Sequence, residues 1–275
     1  MESIITKQLL DLNRRFYTEY GHEFSATRGR LQTGVLRVIE SLHGDESILD
    51  LGCGNGELAR TLSRRGHHGS YFGLDFSLPL LDEAEREAFD FPVQFMQADL
   101  VSSDWDVIAR SRWSSSHAVA YRDQATKQSV THGEIASGKK SPRNDSFDIV
   151  LSFAVLHHIP SSELRLQIIQ KIHELLKLDG LFIHSNWQFL NSPRLKARIQ
   201  PWESIGLQGS DVDANDYLLD WKRGGNGLLY VHHFDESELG DLAKASGFEV
   251  IDTFYSDGEN KRLSLYQIWK ATNAT

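Results

Sequence analysis

The stretch Ser47-Ile-Leu-Asp-Leu-Gly-Cys-Gly-Asn-Gly-Glu-Leu-Ala59 sets Gly52, Gly54 and Gly56 directly behind a short apolar run that carries Asp50. SILDL predicts a strand and ELARTLSRRG a helix closed by Gly66, so the glycines form a strand-to-helix turn. Glycine lets a backbone turn tightly and lets another group approach with no side chain in the way. Working outward, the same alternation repeats. YFGLDFS is a strand, LPLLDEAEREAF a helix and PVQFMQADL a strand. FDIVLSFAVLHHIP begins as a continuous apolar strand, of the kind buried on both faces of a parallel sheet. A helix with Ser161 or Ser162 at its N-cap follows, with Leu164, Ile168, Ile172, Leu175 and Leu176 on one face. Asp179–Gly180 ends it, and LFIHSNW is a fifth strand. DESELGDLAKASGF is a last helix, and EVIDTFY and LSLYQIW are strands joined by SDGENK. Strands alternating with helices predict an α/β fold with a Rossmann-like, mostly parallel sheet and helices on both faces. The final link is too short for a crossover, so one strand near an edge is antiparallel.

At 275 residues and 40% hydrophobic, the chain can bury one large core with appended pieces. We expect one domain, 1–275, with a helical N-terminal cover (1–45), an insertion at 102–145 and an aromatic insertion at 191–233. The segment 102–145 is rich in Ser, Gly, Lys and Arg, and is expected to be a flexible insertion or a contact for RNA or a partner. The net charge of -9 argues against nucleic-acid binding by the whole surface and leaves room for a local patch. The single cysteine, Cys53, allows neither a disulfide nor a cysteine zinc site. His67–His68, His157–His158 and His232–His233 are adjacent pairs rather than the i, i+4 spacing of a helical metal site, so no metal is expected. The N-terminus lacks the apolar core of a signal peptide, and no run is long enough to span a membrane. The expectation is a soluble cytoplasmic protein, with the nucleus left open.

In open α/β sheets, ligands bind beyond the carboxyl ends of the strands. The spacing here is G-x-G-x-G, not the G-x-G-x-x-G of dinucleotide sites. Asp50 would repel a phosphate but suits a cationic group such as an amino acid's ammonium. Asp75 lies about 20 residues beyond the last glycine, where a carboxylate binds ribose hydroxyls. Asp99 ends the third strand, placed to accept from an adenine amino group. An amino-acid head, a ribose and an adenine without phosphate describe S-adenosylmethionine. ILDLGCGNGELA, YFGLDFS, FMQADL, FDIVLSFAVLHHI and LKLDGLFIHSNW resemble, in order, the motifs of class I S-adenosylmethionine-dependent methyltransferases. The resemblance implies that Asp50, Gly52, Cys53, Gly54, Asn55 and Gly56 hold the methionine end. It likewise gives Asp75 and Phe76 to the ribose, Asp99 and Leu100 to the adenine, and Phe153 to the space beside the cofactor.

His157 and His158 follow the fourth strand at the mouth where an acceptor arrives, as base, as hydrogen-bond donor, or as structural residues. Trp187 walls the acceptor pocket or packs the core. A narrower resemblance lies in RFYTEYGHEFSATR, AVLHHI and LLYVHHFDESELGDLAKASGFEV, which look like the tRNA wobble-uridine carboxymethyl methyltransferases. That family includes the methyltransferase domain fused to an AlkB-like oxygenase. It implies Tyr17, Tyr20 and Arg28 closing over cofactor or acceptor, and Lys222, Arg223, Tyr230, His232 and His233 near RNA. It also implies esterification of a carboxylate on a tRNA base, and it allows a small activating partner subunit. The chain differs from that family in its long 102–145 insertion and in showing no dense basic stripe. A small-molecule O-, N- or C-methyltransferase and a non-catalytic cofactor-binding subunit remain the alternatives.

Overall fold

The structure, a computed structural model, describes residues 1–26 (backbone alone for 22–26), 30–102, 105, 106, 109, 146–222 and 226–272. Its elements are α1 (Ser3–Ala26), α2 (Thr33–Glu40), β1 (Ser47–Leu51), α3 (Glu57–Arg64), β2 (Ser70–Asp75), α4 (Leu78–Ala84) and β3 (Val93–Gln97). Then come β4 (Phe147–Phe153), α5 (Ser162–Leu175), β5 (Leu176–Trp187), α6 (Pro193–Lys196) and β6 (Ile199–Gln200). The chain closes with β7 (Asp216–Trp221), β8 (Gly227–His232), α7 (Glu236–Ala245), β9 (Phe248–Ser256) and β10 (Ser264–Ala271).

Seven strands form one sheet in the order β3-β2-β1-β4-β5-β10-β9. Strands β3 to β5 run parallel, and β10 is antiparallel to both β5 and β9. The order reverses at β1, between β2 and β4, which opens the crevice beyond their carboxyl ends. The period-two alternation explains the two covered faces. Ile48, Tyr71, Ile149, Leu151 and Ile183 pack under Val35, Val38 and Ile39 of α2 and Leu58, Ala59 and Leu62 of α3. Leu49, Leu51, Phe72, Leu74, Val150 and Phe182 pack under Ile168, Ile169 and Ile172 of α5 and Leu239 and Ala243 of α7.

Local departures from the sequence reading have physical causes. Helix α4 stops at Ala84, before the charged run Glu85-Arg86-Glu87. Strand β5 begins at Leu176, directly after α5, and bulges at Lys177–Gly180, where Asp179 takes a φ of 62°. Ser161 occupies the N-cap of α5 at φ 71° without a side-chain capping bond, whereas the Asp235 carboxylate caps α7 by accepting from the Glu238 N–H at 2.8 Å. Trp105 and Ala109 are fully buried in the core under α5, so the expected flexible insertion does not begin at Ser102; residues 110–145 lie outside the described residues.

The segment 191–233 builds a second, antiparallel sheet of β6, β7 and β8. Phe16, Tyr17 and Tyr20 of α1 pack against its Leu219, Leu229 and Val231 and against Phe189 and Leu195. Helix α1 thus lies between this accessory sheet and the crevice.

Candidate active site

The turn after β1 is held by the neighbouring strand: the Gly52 and Cys53 N–H groups both donate to the Leu74 carbonyl, at 2.7 and 3.0 Å. Gly52, at φ 78°, leaves no room for a side chain, since a Cβ would meet Val155 Cγ2 at 2.4 Å. Gly54, at φ 56°, has nothing within 4 Å of its Cβ position, so the backbone is bare toward the crevice. Its N–H donates to Asp75 Oδ2 at 2.8 Å, and the Ser77 N–H donates to Asp75 Oδ1 at 2.8 Å. Each carboxylate oxygen keeps further accepting capacity. Burial raises the Asp75 pKa against the pull of those amide donors.

One cleft is lined by Gly52, Gly54, Asn55, Leu74, Asp75, Phe76, Ser77, Leu80 and Ala98 to Val101 on the sheet side. Phe153, Ala154, Val155, His158 and Ile159 form its far wall, and Leu10, Asn13, Arg14 and Tyr17 of α1 roof it. Ala154 takes a φ of 59°, a strained value for a residue with a Cβ, fixed by its N–H donating to the Ser185 carbonyl at 3.0 Å. The donor set fits S-adenosylmethionine: a bare glycine turn, a fixed carboxylate one strand away, and Asp99 beside apolar Leu100 and Val101.

Asp99 is spanned from the roof. Its Oδ2 accepts from Arg14 Nη2 at 2.5 Å and its Oδ1 from the Val101 N–H at 3.1 Å. Arg14 Nη1 also donates to Asp11 at 2.8 Å, and its guanidinium carbon lies 6.0 Å from the Phe76 ring centre. On the roof, Leu10, Asn13 and Arg14 are lining residues that the sequence did not single out. Their signal was one helix stripe shared with Tyr17, but its polar members do not register as a hydrophobic period.

Asp50 sits behind the glycine turn rather than in the cleft wall. It is 4% exposed and accepts from the Tyr71 hydroxyl at 2.5 Å. Burial pushes its pKa up to about 7, opposed by the Tyr71 bond and reinforced by the Asp75 charge. Cys53, likewise buried, has its thiol pKa raised by burial first and by the Asp75 and Asp50 charges next. Gly56, at φ 79°, takes the N-cap position of α3.

The two histidines part company. His158 lines the cleft; its Nδ1 lies 3.2 Å from the Tyr230 carbonyl, so Nδ1 carries the proton. The Tyr17 hydroxyl lies 2.8 Å from its Nε2. His157 is 1% exposed, and its Nδ1 accepts from the Trp187 N–H at 3.3 Å, which makes it a residue of the core. Trp187 packs beside Phe189 in the accessory cluster. Asn13 ties these parts together. Its Nδ2 donates to the carbonyls of His158 and Tyr230, each at 3.1 Å, and its Oδ1 accepts from the Tyr230 N–H at 2.8 Å.

Several residues expected near an acceptor are turned elsewhere. The alternation of β8 points Tyr230 and His232 inward, where the Tyr230 hydroxyl donates to Asp216 at 2.6 Å. His232 is held between Asp216 at 2.7 Å and Glu238 at 2.9 Å. Its pKa is raised: burial opposes the charged form, and the two carboxylate bonds outweigh it. The pKa of His233 is lowered, chiefly by burial, and its ring stands edge-on to Phe189. Tyr20 packs on Phe16. None of these four is among the residues that line the cleft. Lys222 is exposed and pairs with Asp220 at 3.2 Å; Arg28 and Arg223 lie outside the described residues. Among the described residues, no group of three or more His, Cys, Asp or Glu side chains is arranged to hold a metal, and no helix is long and apolar enough to cross a membrane.

A family model described as a methyltransferase domain matches residues 24–253. A provisionally named methyltransferase of Encephalitozoon cuniculi is 28% identical over 240 residues, covering 86% of this chain and 87% of that protein. The protein-lysine N-methyltransferase EFM4 of Saccharomyces cerevisiae is 24% identical over 200 residues, covering 65% of this chain and 71% of that protein. Among solved structures, the Burkholderia thailandensis 1,6-didemethyltoxoflavin-N1-methyltransferase, with S-adenosylhomocysteine bound, superposes with a TM-score of 0.57 at 17% identity, covering 99% of this chain and 92% of that one. The magnesium protoporphyrin IX methyltransferase of Synechocystis PCC 6803, also with S-adenosylhomocysteine, gives 0.54 at 16% identity, covering 94% of this chain and 97% of that one. At such identities the likeness is one of fold.

Proposed function

The chain belongs to the S-adenosylmethionine-dependent methyltransferases, and from that premise we propose that it methylates a carboxylate oxygen, that of a carboxymethylated wobble uridine in tRNA. S-adenosylmethionine supplies a methyl group on a sulfonium, so a carboxylate oxygen can take it, the C–S bond pair leaving on sulfur, with no proton to remove. Gly52, Gly54 and Asn55 would hold the methionine end, Asp75 the ribose and Asp99 the adenine edge. Asp50, behind the turn, would act on the ammonium through the field it sets there.

The observation that carries the acceptor reading is the Tyr17–His158 pair across the mouth of the cleft. His158 keeps its Nδ1 proton toward the Tyr230 carbonyl, and the Tyr17 hydroxyl beside its Nε2 would donate to an incoming anion. The carboxylates that line the cleft among the described residues are Asp75 and Asp99, and this reading gives both to the cofactor. An acceptor that arrives already anionic needs alignment, a donor and exclusion of water rather than a base. An ammonium acceptor would first have to lose a proton, for which His158 is the group in reach, so the lysine methylation named for the yeast relative is the second reading. Alignment alone supplies several kcal/mol, on the order of 7 or more in the best intramolecular cases. A tRNA acceptor would place the protein in the cytoplasm or nucleus.

The test is incubation with methyl-labelled cofactor and total tRNA, followed by mild alkali. Alkali-labile label that disappears with prior ribonuclease treatment supports the ester. Alkali-stable label on tRNA replaces it with another acceptor atom. Label only on metabolite extracts replaces it with a small-molecule substrate.

A further inference from the structure

Six cations that the sequence scatters over three segments meet around one apolar cluster. Arg194 and Lys196 flank Leu195, Arg198 precedes Ile199, Lys222 follows Trp221, and Lys261–Arg262 precede Leu263. Leu195, Ile199, Trp221 and Leu263 all belong to the cluster that packs under α1. Hydrogen bonds fasten the segments to one another. Asn191 Nδ2 donates to the Arg262 carbonyl at 2.9 Å, Asn260 Nδ2 to the Asn191 carbonyl at 3.1 Å, and the Gln188 N–H to the Leu263 carbonyl at 2.7 Å. The Asp220 N–H donates to the Arg198 carbonyl at 3.0 Å, which joins the Lys222 strand to the rest. Tyr17 both packs on this cluster and lines the cleft, so the cluster that carries the cations reaches the cleft.

Arg194, Lys196, Lys222, Lys261 and Arg262 are exposed, and Arg198 is half-buried. Among the described residues, Lys222 alone of the six has an ion-pair partner, Asp220. Residues 188–200 hold no acid at all. In the 257–263 loop, Asp257 is buried and accepts from the Gly34 N–H and the Tyr266 hydroxyl, which leaves Glu259 as the exposed acid. A local excess of positive charge on a chain of net charge -9 is a local device, not a compositional accident.

We propose that this surface receives the phosphate backbone of an RNA whose modified base enters the cleft past Tyr17. The inference rests on the tRNA reading above. Cations without acid partners lose little on meeting phosphates and gain from counterion release. The Arg262 guanidinium lies 4.1 Å from the centre of the Tyr255 ring, which holds this cation in place at the surface.

The experiment uses a fluorescent, unmodified tRNA transcript and the full chain, with binding followed by anisotropy across a salt series. Replacing Arg194, Lys196 and Arg262 together by alanine is expected to weaken binding at least tenfold. It should also flatten the log–log salt slope by about 2 to 3, since each phosphate contact contributes about 0.7 to 0.9. Cofactor affinity, measured on the same variant, reports that the fold is intact. The comparison variant replaces Arg60 and Arg64 of α3 and Arg65 directly after it, which are already paired with Glu57 and Glu40, and it should keep the native slope. An unchanged slope in the first variant, an equal loss in both, or no binding by the native chain at low salt overturns the proposal. Because the transcript carries no modified base, a slope that depends on the patch combined with no ester on native tRNA would retire the ester reading and keep the surface.

Discussion

Asp75 is the residue on which cofactor binding turns. Two backbone amides fix its carboxylate at the tip of β2, and its remaining acceptor sites are those that two ribose hydroxyls would use. Each charge-assisted bond is worth about 1.5 to 3 kcal/mol, so Asp75→Ala should weaken S-adenosylmethionine binding by roughly a hundredfold or more by titration calorimetry. Unchanged affinity would refute the ribose placement. Asp50 makes a different prediction. Its carboxyl is raised from an ordinary value of 3.8 to about 7 by burial, so the folded state holds this proton more tightly than the unfolded chain. The stability tied to it is therefore fully present below pH 3.8 and is lost as pH rises through about 7. Asp50→Asn cannot lose that proton. Relative to the native protein, this variant should gain melting temperature steadily from pH 5 to 8; a constant offset would show that Asp50 does not titrate there. The aspartates were visible in the sequence because each ends an apolar strand. That Asp50 faces Tyr71 was not, because the pair rests on the register of two strands.

Helix α1 roofs the cleft, and one side chain does much of the fastening. Asn13 is 6% exposed and bridges α1 to His158 and to both backbone groups of Tyr230. Asn13→Ala leaves the buried Tyr230 N–H without this partner, which costs about 1 to 3 kcal/mol. We expect a lower melting temperature together with weaker cofactor binding, because Leu10 and Arg14 ride on the same helix. Lower stability with native cofactor affinity would show that the roof does not depend on this joint. The strands and helices of the sheet were legible because local periodicity encodes them. The roof was not, because its partners are remote in sequence: Asp99 lies 85 residues from Arg14, His158 lies 145 from Asn13, and Tyr230 lies 217 from Asn13. Nor did the sequence separate His157 from His158: they are adjacent on one 3₁₀ turn with rings 4.2 Å apart, and only their remote partners, Trp187 for one and Tyr17 for the other, distinguish them.

Charge is where the whole molecule departs furthest from its composition. No stretch of sequence is densely basic around the accessory sheet, yet folding brings cations from three segments around one apolar cluster and buries a cluster of mixed sign nearby. Asp216 of β7, His232 of β8, Glu238 of α7 and Arg165 of α5 form that cluster and join the accessory sheet to the main domain. Arg165 is 2% exposed; it also donates to the Ile159 carbonyl at 3.0 Å and lies over the Phe234 ring. Removing one partner from a buried ion network costs about 3 to 5 kcal/mol, because the charge left behind is uncompensated. His232→Gln should therefore destabilise the protein strongly, and the loss should depend on pH in a defined direction. The His232 pKa is raised above 6.5 by Asp216 and Glu238 against the cost of burial. Its stabilisation is then complete below pH 6.5 and fades as pH rises through the folded value. Urea denaturation of native and His232→Gln proteins at pH 6 and pH 9 should show a large difference at the lower pH and a smaller one at the higher. A difference that does not shrink would mean that His232 is neutral in the fold.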